Sequence, residues 1–140
     1  MTNTAMELEA ATALNNFAEA LNSGDAQAIY NAYSIAGLYI PPATTDIWQP
    51  VTVKERAEQF FRTKKMNIDF EVRSVFIENG YAFVNAVAKS EIISKSGNSR
   101  KVVESKDFFV LRNETGSWKI LRYMFGYLQS GNPTNDLMPA

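Results

Sequence analysis

The sequence of 140 residues contains no cysteine and no histidine. Without cysteine no disulfide can form, which fits a reducing compartment. Without either residue type, the chain cannot build a conventional structural zinc site, a Ser-His-Asp triad or a Cys-His pair. Acid/base chemistry would therefore fall to Asp, Glu, Tyr or Lys side chains, and we predict neither a metal site nor a cofactor.

Long apolar runs and clusters of charge are missing as well. No apolar run approaches the roughly 18 residues that a membrane span needs, and the polar, acidic segment 1–8 is unlike a secretory signal. We therefore expect a cytoplasmic protein. The net charge is -1, and Lys and Arg do not cluster along the chain, so neither nucleic acid nor membrane is an expected partner.

The first half of the chain has the apolar spacing of helices. A first helix is predicted from Met6 to Asn22 and a short second one from Ala26 to Tyr33. Between them, Gly24 suits a left-handed C-terminal cap and Asp25 suits the N-cap of the second helix.

A short strand and a third helix follow. The apolar run Leu38–Ile40 predicts a strand that ends at two prolines. A third helix is expected to begin at Thr52, because Glu55 three residues later completes a capping-box pattern. Lys64 and Lys65 suit the negative end of that helix's dipole.

The second half changes from a helical period to the alternation of strands. Asn79-Gly80, between two such segments, is a strong hairpin signal. The predicted strands are Ile68–Glu78, Tyr81–Ile93, Lys101–Arg112 and Trp118–Leu128. We therefore predict a single α+β domain over residues 1–140, with three N-terminal helices packed in the hollow of a strongly curved antiparallel sheet. Its core would span about residues 6–128, and 129–140 would form a loose tail.

This order of elements resembles the cone-shaped nuclear-transport-factor-2-like (NTF2-like, cystatin-like) superfamily. Local matches are the segment 20–25 (Ala-Leu-Asn-Ser-Gly-Asp), the Trp-Lys-Ile start of the last strand at 118–120, and Met-Phe-Gly at 124–126. Within the superfamily the chain is similar to SnoaL-like and DUF4440-type proteins, and more distantly to ketosteroid isomerase.

The isomerase comparison can be made residue by residue. The family's catalytic Asp falls on Pro41, which cannot take a proton, and its oxyanion-hole Tyr falls on Phe17, which cannot donate a hydrogen bond. Its second oxyanion-hole group, a protonated Asp, falls on Asp107. The resemblance thus implies the scaffold without ordinary ketosteroid isomerisation.

Asp107 is the first candidate for a functional residue. Strand alternation puts it on the same face as Ser105, Phe109 and Leu111. A carboxyl group on a face with Phe and Leu is desolvated, which raises its pKa and suits an acid, a base or a hydrogen-bond donor. The alternative is a strand-end Asp that pairs with a cation or faces water.

Several aromatic residues are candidates for lining an apolar pocket around Asp107. The hydroxyl of Tyr123 could orient a ligand, or Tyr123 could be a core tyrosine whose hydroxyl bonds to a backbone carbonyl group or to water. Tyr39 and Trp48 could line or cover the open end of the cone. The complete predicted ligand-binding set is Phe17, Tyr39, Trp48, Phe60, Phe109, Tyr123 and Phe125.

The opposite face of the sheet also carries large apolar side chains, although three helices can cover only one face. Left bare, this outer face would be a larger apolar patch than monomers usually expose. We therefore predict a homodimer through it, as the resemblance also implies. The predicted interface residues are Phe108, Val110, Trp118, Ile120 and Met124.

Three functional hypotheses remain open. The first is a protein that binds a small apolar organic molecule, polyketide-, terpenoid- or steroid-like, with Asp107 as the acid/base of an isomerase, cyclase or lyase. The second is a non-catalytic dimeric module for assembly or partner binding. The third is a protein-binding domain like those used in transport or kinase oligomerisation. An open cavity of about 300 Å³ or more beside Asp107 indicates the first. The second predicts a filled cone, with mutual contact among Phe17, Phe60, Phe109 and Phe125.

Overall fold

The structure is a computed structural model that describes residues 3–128 as three helices and five strands. The predicted α+β class is confirmed, and the predicted tail 129–140 lies outside the described residues. The helices are α1 (Asn3–Ser23), α2 (Ala26–Ala32) and α3 (Pro50–Thr63). The strands are β1 (Tyr33–Ile40), β2 (Lys64–Glu78), β3 (Tyr81–Ser94), β4 (Arg100–Glu114) and β5 (Ser117–Tyr127). Among these residues, no helix has both the length and the apolar character that crossing a membrane requires.

The junction between α1 and α2 forms as predicted. Gly24 has a φ of +68°, in the left-handed region that glycine adopts without steric cost. Asp25 caps α2, since its Oδ1 accepts a hydrogen bond of 3.0 Å from the backbone N–H of Ala28. Helix α2 ends one residue earlier than predicted, because Tyr33 already belongs to β1.

Four element starts differ from the prediction by two residues or more: α1 begins at Asn3, β1 at Tyr33, α3 at Pro50 and β2 at Lys64. Strand β1 begins at Tyr33 rather than Leu38. Its pairing is irregular between these two residues, so the alternation on which the prediction relied is interrupted there. Helix α3 begins at Pro50 with Gln49 as its N-cap, and no side chain caps it. The predicted capping box at Thr52 is therefore wrong, because a proline in the first turn already has the φ that a helix start needs.

The strands form one sheet in the order β1-β5-β4-β3-β2. Strands β2 to β5 are the predicted antiparallel meander, and β2 turns into β3 at Asn79 and Gly80, which have φ values of 49° and 79°. Strand β1 pairs with β5 in parallel, so the complete sheet is mixed rather than purely antiparallel. Helix α1 packs against β2 on the inner face of the sheet.

An extra residue in β5 corrects the prediction for its two faces. Val110 pairs with Arg122 but the next residue, Leu111, pairs with Ile120, so Leu121 is the additional residue of a β-bulge. Upstream of the bulge the alternation is reversed. Trp118 and Ile120, predicted on the outer face, are instead buried in the core, at 8% and 3% exposure.

A side chain of α1 fixes the position of the edge strand β2. Asn22 donates a hydrogen bond of 3.0 Å from Nδ2 to the carbonyl oxygen of Ile68, and its Oδ1 accepts one of 2.6 Å from the N–H of Ile68. The amide therefore satisfies a backbone donor and a backbone acceptor on one edge-strand residue. This contact holds the end of α1 over the hollow of the sheet.

We expect Asn22→Ala to lower the free energy of unfolding by about 1–2 kcal/mol, because two hydrogen bonds to an edge strand are lost. Urea denaturation followed by circular dichroism measures this change. Asn67→Ala is the matched control, since Asn67 is an exposed neighbour on β2 whose side chain, among the described residues, bonds to the side chain of Glu91 alone. Equal losses in the two variants would contradict a special role for Asn22.

Candidate functional site

The candidate site is built around Asp107 in the middle of the sheet. Asp107 lies on β4, where it is opposite Ala86 of β3 and Phe125 of β5. Its side chain faces the helices and is only 3% exposed. The face predicted for Asp107 by alternation is the one that the structure shows.

Both oxygens of the Asp107 carboxyl group accept hydrogen bonds from neutral hydroxyls. Ser105 Oγ donates to Oδ1 at 2.6 Å, and Tyr123 Oη donates to Oδ2 at 2.6 Å. No Lys or Arg among residues 3–128 forms an ion pair with it. Asp107 is thus neither exposed to bulk water nor neutralised by a cation.

Burial raises the pKa of Asp107 above its ordinary value of 3.8, and the hydrogen bonds from Ser105 and Tyr123 offset only part of that rise. Burial also raises the pKa of Tyr123 well above 10, and the adjacent charge of Asp107 adds to the effect. Tyr123 therefore stays protonated and continues to donate to the carboxyl group.

A small cavity of about 30 Å³ lies beside Asp107, with room for about two water molecules. Five of the predicted site residues line it, namely Phe17, Tyr39, Asp107, Tyr123 and Phe125. Sequence reasoning did not include Tyr33, Met66, Ser90, Ser105 and Tyr127, which also line it. Alternation does place Ser105 on the face of Asp107, but the predicted set of site residues did not include it.

The other three predicted residues lie outside the cavity lining. Phe109 lies behind Tyr123, with the two rings stacked 4.2 Å apart and only 7° from parallel. Trp48 packs against Tyr39 from outside, at 5.4 Å between ring centroids. Phe60 packs edge-on against Phe61 at 5.1 Å. These rings support the walls of the cone rather than contact its void.

The structure lies between the two extremes that the sequence hypotheses defined. Phe17 and Phe109 are in edge contact at 6.2 Å, as a filled cone requires, but the void beside the carboxyl group remains. Its volume is about a tenth of the usual lower limit for ligand pockets. Within the described part of the chain, no group of three or more acidic side chains is placed to hold a metal ion.

Comparison with protein families gives one match over most of the chain. A model described as the SnoaL-like domain matches residues 10–128. The predicted membership of the NTF2-like superfamily is thereby confirmed. No curated protein matches the sequence.

Solved structures share the fold at low sequence identity. A conserved protein from Planctomyces limnophilus superposes with a TM-score of 0.83 at 15% identity, over 89% of this chain and 99% of the other. A ketosteroid isomerase-like protein from Erwinia carotovora atroseptica gives 0.76 at 21% identity, over 87% and 95%. A Novosphingobium aromaticivorans protein provisionally named scytalone dehydratase gives 0.78 at 11% identity, over 91% and 87%.

We expect Asp107→Asn to raise the Tm at pH 7 by about 3 °C, the shift that roughly 1 kcal/mol produces in a domain of this size. The amide oxygen still accepts a hydrogen bond from one of the two hydroxyls, its N–H can donate to the oxygen of the other, and the buried charge is removed. Because the pKa of Asp107 is raised by folding, its proton stabilises the fold fully below about pH 3.8. That stability is lost as the pH rises through the folded-state pKa.

The Tm difference between wild type and Asp107→Asn should therefore shrink as the pH falls from 7 towards 4, measured by differential scanning calorimetry. Asp69→Asn provides the control, because Asp69 is exposed on the outer face of β2. A constant difference across that pH range, or a lower Tm for Asp107→Asn at pH 7, would show that the buried charge does not strain the fold.

Proposed function

Because the chain belongs to the SnoaL-like domain family, we propose that it binds a small, largely apolar organic molecule beside Asp107. In this proposal the Asp107 carboxyl group is the acid/base of an isomerase, cyclase or lyase reaction. The observation that carries the proposal is a carboxyl group at the wall of an apolar cavity, 3% exposed and without a cationic partner among the described residues.

The energetics of burial support a functional reason for this carboxyl group. Moving a charge out of water without a counter-charge costs free energy, and two neutral hydroxyl donors offset only part of it. An amide side chain, which is uncharged and still hydrogen-bonds to hydroxyls, would cost less free energy at the same position. A raised carboxyl pKa also brings the group closer to neutral pH, where a carboxyl group exchanges protons with a substrate most effectively.

The chemistry requires a single carboxyl group that takes up and returns a proton. As a base, Asp107 would remove a proton from a carbon next to a carbonyl group; returning it to another carbon isomerises the substrate. If the carboxyl group instead returns the proton to a departing hydroxyl group, water leaves, a carbon–carbon double bond forms, and the reaction is that of a lyase. Ser105 and Tyr123 hold the carboxyl group at the cavity wall. Two of the similar structures are named as a ketosteroid isomerase-like protein and, provisionally, as a scytalone dehydratase. Isomerisation and dehydration both require the transfer of a proton.

The cavity volume requires that the site opens before a ligand enters. About 30 Å³ is too little for an aromatic ring. Most of the lining residues are buried, whereas Ser90, Val103, Phe125 and Tyr127 are half-buried. Displacement of the Phe125 ring, which packs on the rings of Tyr39 and Tyr123, would enlarge the cavity from that side, as in other pockets that form only with a ligand.

A second candidate function is a dimeric module for assembly, with or without catalysis. The specific observation is the outer face of the sheet, where Phe76 is 59% and Met124 is 40% exposed. Half-buried apolar side chains lie on the same face: Phe83, Phe108 and Val110. With Trp118 and Ile120 removed from the predicted set, these five residues define the outer patch. Association of two copies through the outer patch would cover it.

The acid/base proposal predicts that the protein exchanges the α-hydrogens of small cyclic and aryl ketones for deuterium. In D₂O, proton NMR should show wild-type exchange at least about 10²-fold faster than with Asp107→Asn, the usual contribution of one general base. Asp69→Asn should behave as wild type. Equal exchange rates for wild type and Asp107→Asn would remove the acid/base part of the proposal and leave only ligand binding.

The dimer proposal predicts that a charge in the outer patch separates the copies. Wild type should elute as a dimer in size-exclusion chromatography with light scattering, and Phe108→Glu should shift it to the monomer mass, because burying an unpaired carboxylate is costly. Val51→Glu is matched in charge and lies on α3, where Val51 is 53% exposed. A monomeric wild type, or a dimeric Phe108→Glu, would rule out this interface.

A further inference from the structure

The hydroxyl of Tyr39 is a polar group inside the cone that neither the fold nor the proposed chemistry uses. Tyr39 is 2% exposed and lines the cavity. Its hydroxyl is buried and has no hydrogen-bond partner among residues 3–128. Buried tyrosine hydroxyls ordinarily find a partner, so this one calls for an explanation.

The position of the Tyr39 ring is firmly held. The backbone of Tyr39 forms two hydrogen bonds of 2.9 Å with Trp48 on one side, and β1 pairs it with Tyr123 on the other. Its ring lies 5.4 Å from the ring of Trp48 and 5.4 Å from that of Tyr123. A phenylalanine would make the same ring contacts without an unpaired hydroxyl, so packing alone does not account for tyrosine here.

The protonation state makes Tyr39 a donor. Burial raises its pKa well above 10, and the nearby groups of Tyr33, Tyr127 and Asp107 raise it further. At any physiological pH the hydroxyl therefore carries its proton and lacks an acceptor within the described protein.

The charge of the cavity restricts what that acceptor can be. Among the described residues, those that line the cavity include one acid, Asp107, and no Lys or Arg. An anionic ligand would be repelled by the carboxylate and would find no counter-charge there, so the cavity chemistry selects against acids. An uncharged oxygen, as in a carbonyl or hydroxyl group, meets no such penalty.

We propose that Tyr39 is a ligand-binding residue that donates a hydrogen bond to an uncharged oxygen of the ligand, so that the substrate class is neutral and oxygenated rather than acidic. This rests on the proposed function, because the ligand occupies the same cavity. Tyr39 on β1 and Asp107 on β4 then act on different parts of the ligand, since β5 lies between their strands. Tyr39 selects the oxygen and Asp107 moves the proton.

Three probes of similar size test this assignment: acetophenone with a neutral carbonyl group, ethylbenzene with no oxygen, and benzoate with a negative charge. Their dissociation constants are measured by NMR titration with wild type, Tyr39→Phe and Tyr30→Phe. Tyr30 is a partly exposed tyrosine of α2 outside the cavity lining, which makes it a matched control. We expect wild type to bind acetophenone most tightly and benzoate most weakly.

Tyr39→Phe should weaken acetophenone binding about tenfold, the effect of one hydrogen bond to a buried donor, and leave ethylbenzene binding unchanged. Tyr30→Phe should match wild type. The Tm of Tyr39→Phe should equal or exceed that of wild type, because no protein hydrogen bond among the described residues is lost.

The outcomes separate this inference from the proposed function. If Tyr39→Phe binds acetophenone as wild type does, or has a lower Tm, the inference is wrong while the cavity remains a binding site. If benzoate binds best, the neutral substrate class is wrong. If wild type binds none of the probes, the proposed cavity function fails, and the role of Tyr39 fails with it.

Discussion

The pairing of β4 with β5, including the extra residue Leu121, is the constraint on which both the core and the site depend. Before the bulge, β5 directs Trp118 and Ile120 inward to fill the space under the helices. After it, β5 directs Tyr123 inward, where its hydroxyl reaches Asp107 at 2.6 Å. A strand with unbroken alternation could direct only one of these sets inward. One inserted residue therefore lets a single strand close the core and complete the site.

Much of the fold could be predicted from local sequence signals. The main features that the prediction missed have a common cause. The Asn79-Gly80 hairpin and the Asp25 cap were predictable because each depends on the conformation of adjacent residues. The bulge at Leu121 was not predictable, because a prediction from alternation assumes that every second side chain stays on the same face along the whole strand. The parallel pairing of β1 with β5 joins segments about eighty residues apart, and no short-range pattern encodes it.

The site was predictable only as far as strand faces reveal it. Alternation identified Asp107 and Tyr123 as inward residues of neighbouring strands, but could not show that their side chains are bonded to each other. Phe60 is buried and Trp48 packs on Tyr39, yet neither lines the void. Inward orientation does not determine which inward neighbour a ring meets. The volume left between such rings depends on shifts of less than an ångström, which composition and spacing do not contain.

The side chains around the cavity are not all packed equally tightly, and this determines where the cavity can change its volume. Behind the carboxyl group, Phe109 is fully buried and stacked on Tyr123, so the wall that carries the polar groups is held by dense packing. Elsewhere in the lining, Phe125 is only half-buried, so less packing encloses its ring than encloses Phe109. In our proposal the rigid wall keeps Asp107 in place while the cavity volume changes on the side of Phe125. The same division explains how a nearly filled cone can retain two polar groups that cost stability: the aromatic packing behind them supplies the stability that they remove.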